Sequence, residues 1–199
     1  MPDELEDALS RAGEIWEAVS HSQVVKEVPV IRQAVAIWKT YNDARSALFA
    51  AKLEKFVTDP SLQTPEARER MREQAESPDA KKIGETLFMV LDRLTDMLKP
   101  TWLARCYAGF LAGEFGSSEL RRLAAAIDIA FGDDLVSLIS APDPIQPNEY
   151  APWKRYLTGS GLTEMSAQGP IGGKTMFHIT QLGELFRKTV RKHSPQSEP

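Results

Sequence analysis

The chain has 199 residues, with 24 Lys and Arg against 28 Asp and Glu and a formal net charge of −4. This length favours one domain or slightly more, and an apolar fraction of 42% is enough for a packed core. The single cysteine, Cys106, excludes an intrachain disulfide and any site built from several cysteines. We therefore expect a buried, reduced thiol and a cytoplasmic protein.

The charge pattern argues against export and against a membrane-spanning helix. Residues 3–7 are mostly acidic, whereas a secretory signal opens with Lys or Arg before an apolar run. The longest run without Asp, Glu, Lys or Arg is nine residues, below the roughly 18 that a spanning helix needs. Trp38 and Phe49 lie among lysines within 29–57, but acids and ordinary core packing make membrane-surface association the weakest hypothesis.

Apolar residues recur every three or four positions through the first 60 residues, as on one face of a helix. This spacing predicts a helix over 3–19 and another over 29–57, with a break at Asn42-Asp43 and a stop at Asp59-Pro60. A third helix begins at Thr64, where a hydroxyl, a proline and an acid form a start signal. This third helix is highly charged, so we expect it to be solvated or loosely docked.

Ser77-Pro78-Asp79 repeats the same start signal before a more apolar helix. We expect this helix at the centre of the core, ending at Lys99-Pro100. Its predicted inward residues are Ile83, Leu87, Phe88, Leu91, Leu94 and Leu98.

Two further helices are predicted before the sequence changes character. One spans 102–111, and the other begins at Ser117, carries Phe131 as its last inward residue and is closed by Gly132. A short turn follows. The sequence thus predicts an all-helical domain over 1–140.

After residue 140, four prolines fall within 141–152, a spacing that no helix or central strand can hold. We interpret this segment as a connector. Residues 153–193 then predict a short helix, two strands joined by a Gly-rich loop as a β-hairpin, and a final amphipathic helix capped by Thr180. Residues 194–199 are predicted to be a disordered tail.

No motif in the sequence has the spacing that catalysis or a cofactor requires. Gly172-Gly173-Lys174-Thr175 ends like a phosphate-binding loop, but the position that needs the first glycine is Gln168. Glu85, Asp92 and Asp96 share one helix face without a histidine, which is typical of a solvated face. We predict a protein that is not an enzyme, with no catalytic residues, no cofactor and no metal site.

The C-terminal pattern as a whole resembles a known family. A short helix precedes Leu157-x-x-x-Gly161-Leu162, a Gly-rich loop, a strand ending Ile179-Thr180-x-Leu182-Gly183, and an amphipathic helix. This order resembles the second half of a winged-helix domain. The resemblance implies that the short helix enters a DNA major groove and that the Gly-rich loop is the wing. It would place near the groove Lys154, Arg155 and Arg121 or Arg122, with Lys174 on the wing.

The predicted fold class is mainly α: a multi-helix, bundle-like domain followed by a small α+β, winged-helix-like module. Winged helices bind proteins as well as nucleic acids, and five acids against seven bases in 141–199 is a small excess for a DNA reader. Our leading hypothesis is a non-enzymatic regulatory or adaptor protein that binds another, unidentified protein. The alternative is a winged-helix nucleic-acid-binding protein, similar to a transcription regulator. The candidate contact residues are Trp153, Lys154, Arg155, Lys174, Arg187, Lys188, Arg191 and Lys192.

Overall fold

The structure is a computed structural model, and it describes residues 11–28, 31–32, 35–36, 44–143, 145, 151–166 and 175–195. Several predicted features lie outside the described residues. These are the first turns of the first helix, the helix start at Pro29, the break at Asn42-Asp43, the Gly-rich loop with Lys174, and the tail after residue 195.

The described chain is mainly helical, with a two-stranded antiparallel sheet near its C-terminal end. The prediction of a helical body followed by a small α+β module with a β-hairpin is confirmed. The α-helices are α1 (Ala12–His21), α2 (Gln23–Glu27), α3 (Ala44–Val57), α4 (Pro65–Ala75), α5 (Ala80–Arg93), α6 (Lys99–Leu111), α7 (Ser117–Ile129), α8 (Gly132–Ser140), α9 (Pro152–Tyr156) and α10 (Gln181–Lys192). The strands are β1 (Thr163–Ser166) and β2 (Met176–Ile179), and short 3-10 turns span Pro60–Leu62 and Leu157–Ser160.

Helix α6 lies at the centre of the core. Ten of its thirteen residues are buried, and α3, α4, α7 and α10 all contact it. After Lys99 its one charged residue is Arg105, so other helices can cover it on every side. The prediction that α5 is central is wrong, because α5 buries a single face and leaves Lys81, Lys82 and Glu85 exposed.

Two of the predicted start signals act as helix caps. The Thr64 hydroxyl accepts a hydrogen bond from Ala67 N at 3.1 Å, and the Thr180 hydroxyl accepts one from Gly183 N at 3.1 Å. Each satisfies a backbone N–H that the first turn leaves without a partner. Helix α4 is solvated over most of its surface, as expected, but it buries Ala67 and Met71 and is therefore anchored along one strip. Helix α5 begins after Asp79 with no side-chain cap.

Helices α5 and α7 end earlier than the apolar periodicity predicts. Helix α5 ends at Arg93 and α7 at Ile129, whereas the predicted stripes continue to Leu98 and Phe131. Both of these side chains are exposed, so their prediction as core residues is wrong. Gly132 begins α8 and does not close the preceding helix, so that prediction is wrong.

The C-terminal module packs on the helical body. Strands β1 and β2 pair with Thr163 opposite Ile179, and Gly161 makes the turn before them with a φ of 76°. A left-handed φ of this kind favours glycine. Helix α10 contacts α6 and α8, and its Phe186 and Val190 belong to the same hydrophobic core as the helical body. The division into a 1–140 domain, a connector and a 153–193 module stays a prediction.

Candidate protein-binding site

The structure separates the predicted contact residues into buried and exposed groups. Lys154 is 2% exposed and Arg187 is 1% exposed, so neither side chain is available to an external partner. We therefore correct the prediction for these two residues. Arg155 and Lys188 are exposed, Trp153 is half-buried with Lys154 Nζ 5.7 Å from its ring centre, and Lys174 lies outside the described residues.

Arg187 and Arg191 hold the start of the connector against α10. Arg191 Nη1 donates to Asp143 Oδ2 at 2.7 Å, and Arg191 Nε donates to the Ile139 carbonyl at 2.6 Å. Arg187 donates to Asp143 Oδ1 and to the Ala141 and Pro142 carbonyls. The hydrogen bond from Arg187, with the charges of both arginines, lowers the pKa of Asp143. Arg187 and Arg191 therefore stabilise the fold. The spacing of basic residues along a helix does not indicate such a role, because it depends on partners distant in the sequence.

Lys192 is likewise engaged within the molecule. Its Nζ donates to Glu114 Oε1 at 2.7 Å, and His193 Nε2 lies 3.0 Å from the same oxygen. Burial acts to raise the pKa of Glu114, but the hydrogen bonds and charges of Lys192 and His193 together lower it. Lys188 is exposed, and its Nζ lies 3.8 Å from Glu184, one turn earlier on α10. Arg121, the other groove candidate, donates to the Ser117 carbonyl, and Arg122 is exposed.

A different part of the molecule exposes large apolar side chains together. Leu98 is 52% exposed, Ile129 is 66% exposed and Phe131 is 68% exposed. All three line one cleft of about 890 Å³, formed by residues 95–99 and 128–133. We call it the corner cleft, because it lies between the α5–α6 loop and the α7–α8 corner.

The two walls of the corner cleft arise where helices stop early. Leu94 adopts an extended conformation (φ −54°, ψ 131°) that ends α5, and Asp96 Oδ1 accepts a hydrogen bond from Leu98 N at 2.8 Å. This local turn competes with the helix, as short acidic side chains do. Ala130 and Phe131 are extended in the same way between α7 and α8. As a result, Leu98 and Phe131 do not lie on the buried helix faces that the periodicity predicts.

Polar contacts hold the two walls together. Lys99 Nζ donates to the Asp128 carbonyl at 3.1 Å, and the carboxyl of Asp96 packs on the backbone of Gly132. A Cβ at Gly132 would lie 1.8 Å from Asp96 Oδ2, so any larger residue there would require the Asp96 side chain to move. Arg93 pairs with Asp128 at 2.7 Å at the edge. Leu98, Ile129 and Phe131 therefore extend from two segments that are joined by these polar contacts.

Sequence reasoning missed the corner cleft because its apolar residues fit the helical period. Leu98 falls four residues after Leu94, and Phe131 falls four after Ile127, which is the spacing of a core stripe. The sequence signals that could have indicated a break were Asp96 before Lys99-Pro100 and Gly132 before two aspartates. Both patterns are typical of helix boundaries.

The described helices include none that is long and apolar enough to cross a membrane. Within the same described part, no three His, Cys, Asp or Glu side chains gather as a metal site would require. No protein-family model, curated protein or solved structure matches the chain. Function is therefore inferred from the chain's own side chains.

Proposed function

We propose that this protein is a non-enzymatic adaptor or regulatory protein that binds another protein through the corner cleft. The observation that carries the proposal is the exposure of three large apolar side chains, Leu98, Ile129 and Phe131, in one cleft. Single exposed apolar residues are ordinary, but a group of them in a concave surface marks interaction sites. The reduced, buried Cys106 supports a cytoplasmic location.

The free energy available at this surface is large enough to matter for binding. Fully burying a Leu, Ile or Phe side chain is worth about 1.5–3 kcal/mol. Because the three side chains are between half and about two-thirds exposed, covering them all contributes about 3–5 kcal/mol. A few well-buried residues at the centre of an interface commonly supply most of its affinity.

The nucleic-acid alternative gains less support from the described residues. Binding to phosphates needs Lys and Arg side chains that can reach them, and Arg187, Arg191 and Lys192 are paired with carboxylates of this chain. Arg155, Lys188 and Lys192 are the exposed bases of the described part of the module, and Lys188 and Lys192 each pair with a glutamate. Salt-dependent retention on duplex DNA that Arg155→Glu with Lys188→Glu abolishes would establish this alternative.

The test of the proposal compares two pairs of exposed apolar residues. The first variant replaces Ile129 and Phe131 by Ser. The second, a matched control, replaces Tyr156 and Met165 by Ser in the C-terminal module, where they are 66% and 64% exposed. Both variants and the unmodified full chain are used to capture proteins from a lysate of the source organism, after circular dichroism has shown equal helicity.

We expect a partner that the full chain and the control retain and that the cleft variant loses. The interaction is then measured with the purified partner, where we expect the loss of Ile129 and Phe131 to weaken binding by at least about tenfold, or 1.4 kcal/mol. Loss in the module variant alone would overturn the proposal and assign binding to the C-terminal module. Binding unchanged in both variants would contradict both assignments.

A further inference from the structure

The rim of the corner cleft carries more acid than base. Asp96, Asp128 and Asp133 line it, and Asp134 follows directly on α8. Two bases, Lys99 and Arg93, stand against these four aspartates. The local excess is therefore two negative charges beside an apolar surface.

Both bases are already committed within the molecule. The Arg93 guanidinium pairs with Asp128, and the Lys99 amine is buried and donates to a carbonyl. In the described part of the chain, neither Asp133 nor Asp134 has a cation at ion-pair distance. Burial raises the pKa of Asp134, and the neighbouring charge of Asp133 raises it further.

An exposed apolar side chain follows the carboxylates of Asp133 and Asp134 along α8. Val136 lies three residues after Asp133 on the same helix face and is also exposed. A segment that covers Ile129 and Phe131 therefore passes Asp133 at the same time. A segment that is complementary to this surface therefore presents apolar side chains in its middle and positive charge at its edge.

The backbone around the corner cleft favours an occupant that satisfies its own hydrogen bonds. Helix ends and loops form the walls, and the strands that the structure describes belong to the C-terminal module. An extended segment would find no strand edge there for its backbone N–H and C=O groups. In a helical segment, the interior backbone N–H and C=O groups already form hydrogen bonds within the helix.

Charge also argues against the occupants that this chain could supply. Residues 1–10 carry four acids and no Lys or Arg, and residues 196–199 carry an acid and no aliphatic side chain larger than proline. A second copy docked symmetrically would bring its own acidic rim against the first. Each of these would place like charges together.

We propose that the corner cleft takes a basic amphipathic helix from a partner protein. The helix lays leucine-, isoleucine- or phenylalanine-type side chains on Leu98, Ile129 and Phe131 and places Lys or Arg beside Asp133 and Asp134. This inference rests on the proposed function, since it names the partner segment for the same surface.

The experiment selects peptides from a displayed random library of about 20 residues, long enough for a stable bound helix. The baits are the full chain, Asp133→Lys with Asp134→Lys, and Ile129→Ser with Phe131→Ser. A control bait, Glu69→Lys with Glu73→Lys, makes the same charge change on α4, where both glutamates are exposed. A further bait, Asp133→Asn with Asp134→Asn, removes charge while keeping residues that suit a helix start.

We expect the full chain and the Glu69/Glu73 control to enrich the same peptides, with apolar residues at helical spacing and an excess of Lys and Arg. Affinity measured by fluorescence anisotropy should fall at least about tenfold with the lysine pair at 133 and 134. The asparagine pair should cause a smaller loss, and the Ile129/Phe131 variant should lose binding entirely.

The two levels of the hypothesis fail differently. One contrary result is a set of selected peptides that require Ile129 and Phe131 and yet show no excess of Lys and Arg. Another is a set that requires the same two residues but binds the variants at 133 and 134 as tightly as the full chain. Either result overturns the basic helix and leaves the proposed function standing. If no enriched peptide depends on Ile129 and Phe131, the proposed function fails as well.

Discussion

Gly183 shows how closely the C-terminal module is fitted together at single residues. A Cβ at this position would lie 2.1 Å from the Leu162 carbonyl oxygen and 2.8 Å from the Ile179 side chain. The Leu162 carbonyl also accepts the hydrogen bond from Thr180 N at 3.0 Å. The obstructing atom is therefore backbone that is itself held in place.

We predict that Gly183→Ala destabilises the protein by about 2–3 kcal/mol, because the added methyl group forces α10 away from the strand before it. The measurement is the urea midpoint of unfolding, followed by circular dichroism. Gly159→Ala is the matched control, since a Cβ at Gly159 meets nothing within 4 Å. A destabilisation equal to that of the control would show that this contact relaxes freely.

At the scale of elements, positively charged side chains close the C-terminal ends of four consecutive long helices. Lys52 donates to the Asp92 and Leu94 carbonyls at the end of α5, and Arg70 donates to the Leu111 carbonyl at the end of α6. Lys99 does the same for α7, and Arg191 for α8. Each base comes from another element and meets carbonyls that the helix leaves without partners and that carry its negative dipole end.

This arrangement explains which part of the architecture could be predicted from the sequence. The caps at Thr64 and Thr180 are local signals, and the structure has them where the sequence predicts. The roles of Lys52 and Arg187 depend on partners at least 40 positions away, so no local pattern contains them. The corner cleft could not be predicted because a local pattern was misleading there. Leu98 and Phe131 continue the apolar periodicity of α5 and α7, but both helices end before these residues.

The Arg187 contact gives a test at this scale. We predict that Arg187→Ala lowers the free energy of unfolding by about 2–3 kcal/mol, because it removes a buried side chain that donates to the Ala141 and Pro142 carbonyls and to Asp143. Lys188→Ala, the neighbouring exposed base on α10, should change it by less than about 0.5 kcal/mol. Equal urea midpoints for the two variants would contradict the structural role assigned to Arg187.

The acid partner of this contact predicts a pH dependence. Since the pKa of Asp143 is lower in the folded chain than its usual value of about 3.9, its stabilising effect is complete above that value. The effect is lost as pH falls through the lower, folded pKa. Chemical denaturation at pH 6 and near pH 3 should show a stability difference between the unmodified chain and Asp143→Asn that narrows at the acid end. A constant difference would refute the linkage.

For the whole molecule, the decisive feature is a hydrophobic core shared by the helical body and the C-terminal module. Cys106 lies in the middle of this core on α6, with no exposed surface. Burial raises the pKa of its thiol, which keeps the reactive thiolate scarce. A single cysteine in this position reports on the opening of the entire core.

We predict that a thiol reagent such as Ellman's reagent leaves Cys106 unmodified in buffer and modifies it across the same urea range in which helicity is lost. The chain in concentrated urea is the control, since its thiol should react at the rate of free cysteine. Rapid labelling without urea would indicate that α6 opens independently of the rest of the fold.

The close approach of α10 to α6 also sets an order of events during synthesis. At Gly109, a Cβ would lie 2.7 Å from the Thr189 side chain, so the Thr189 methyl group packs directly on the backbone of α6. Helix α10 begins about 70 residues after α6 ends, which at 5–20 residues per second means a delay of roughly 4–14 s on the ribosome. Throughout that delay, the face of α6 that α10 covers in the folded protein stays exposed, although ten of the thirteen α6 residues are buried once folding is complete. The nascent chain therefore passes through a stage that needs protection from aggregation, and a chain cut at residue 140 would remain in it permanently.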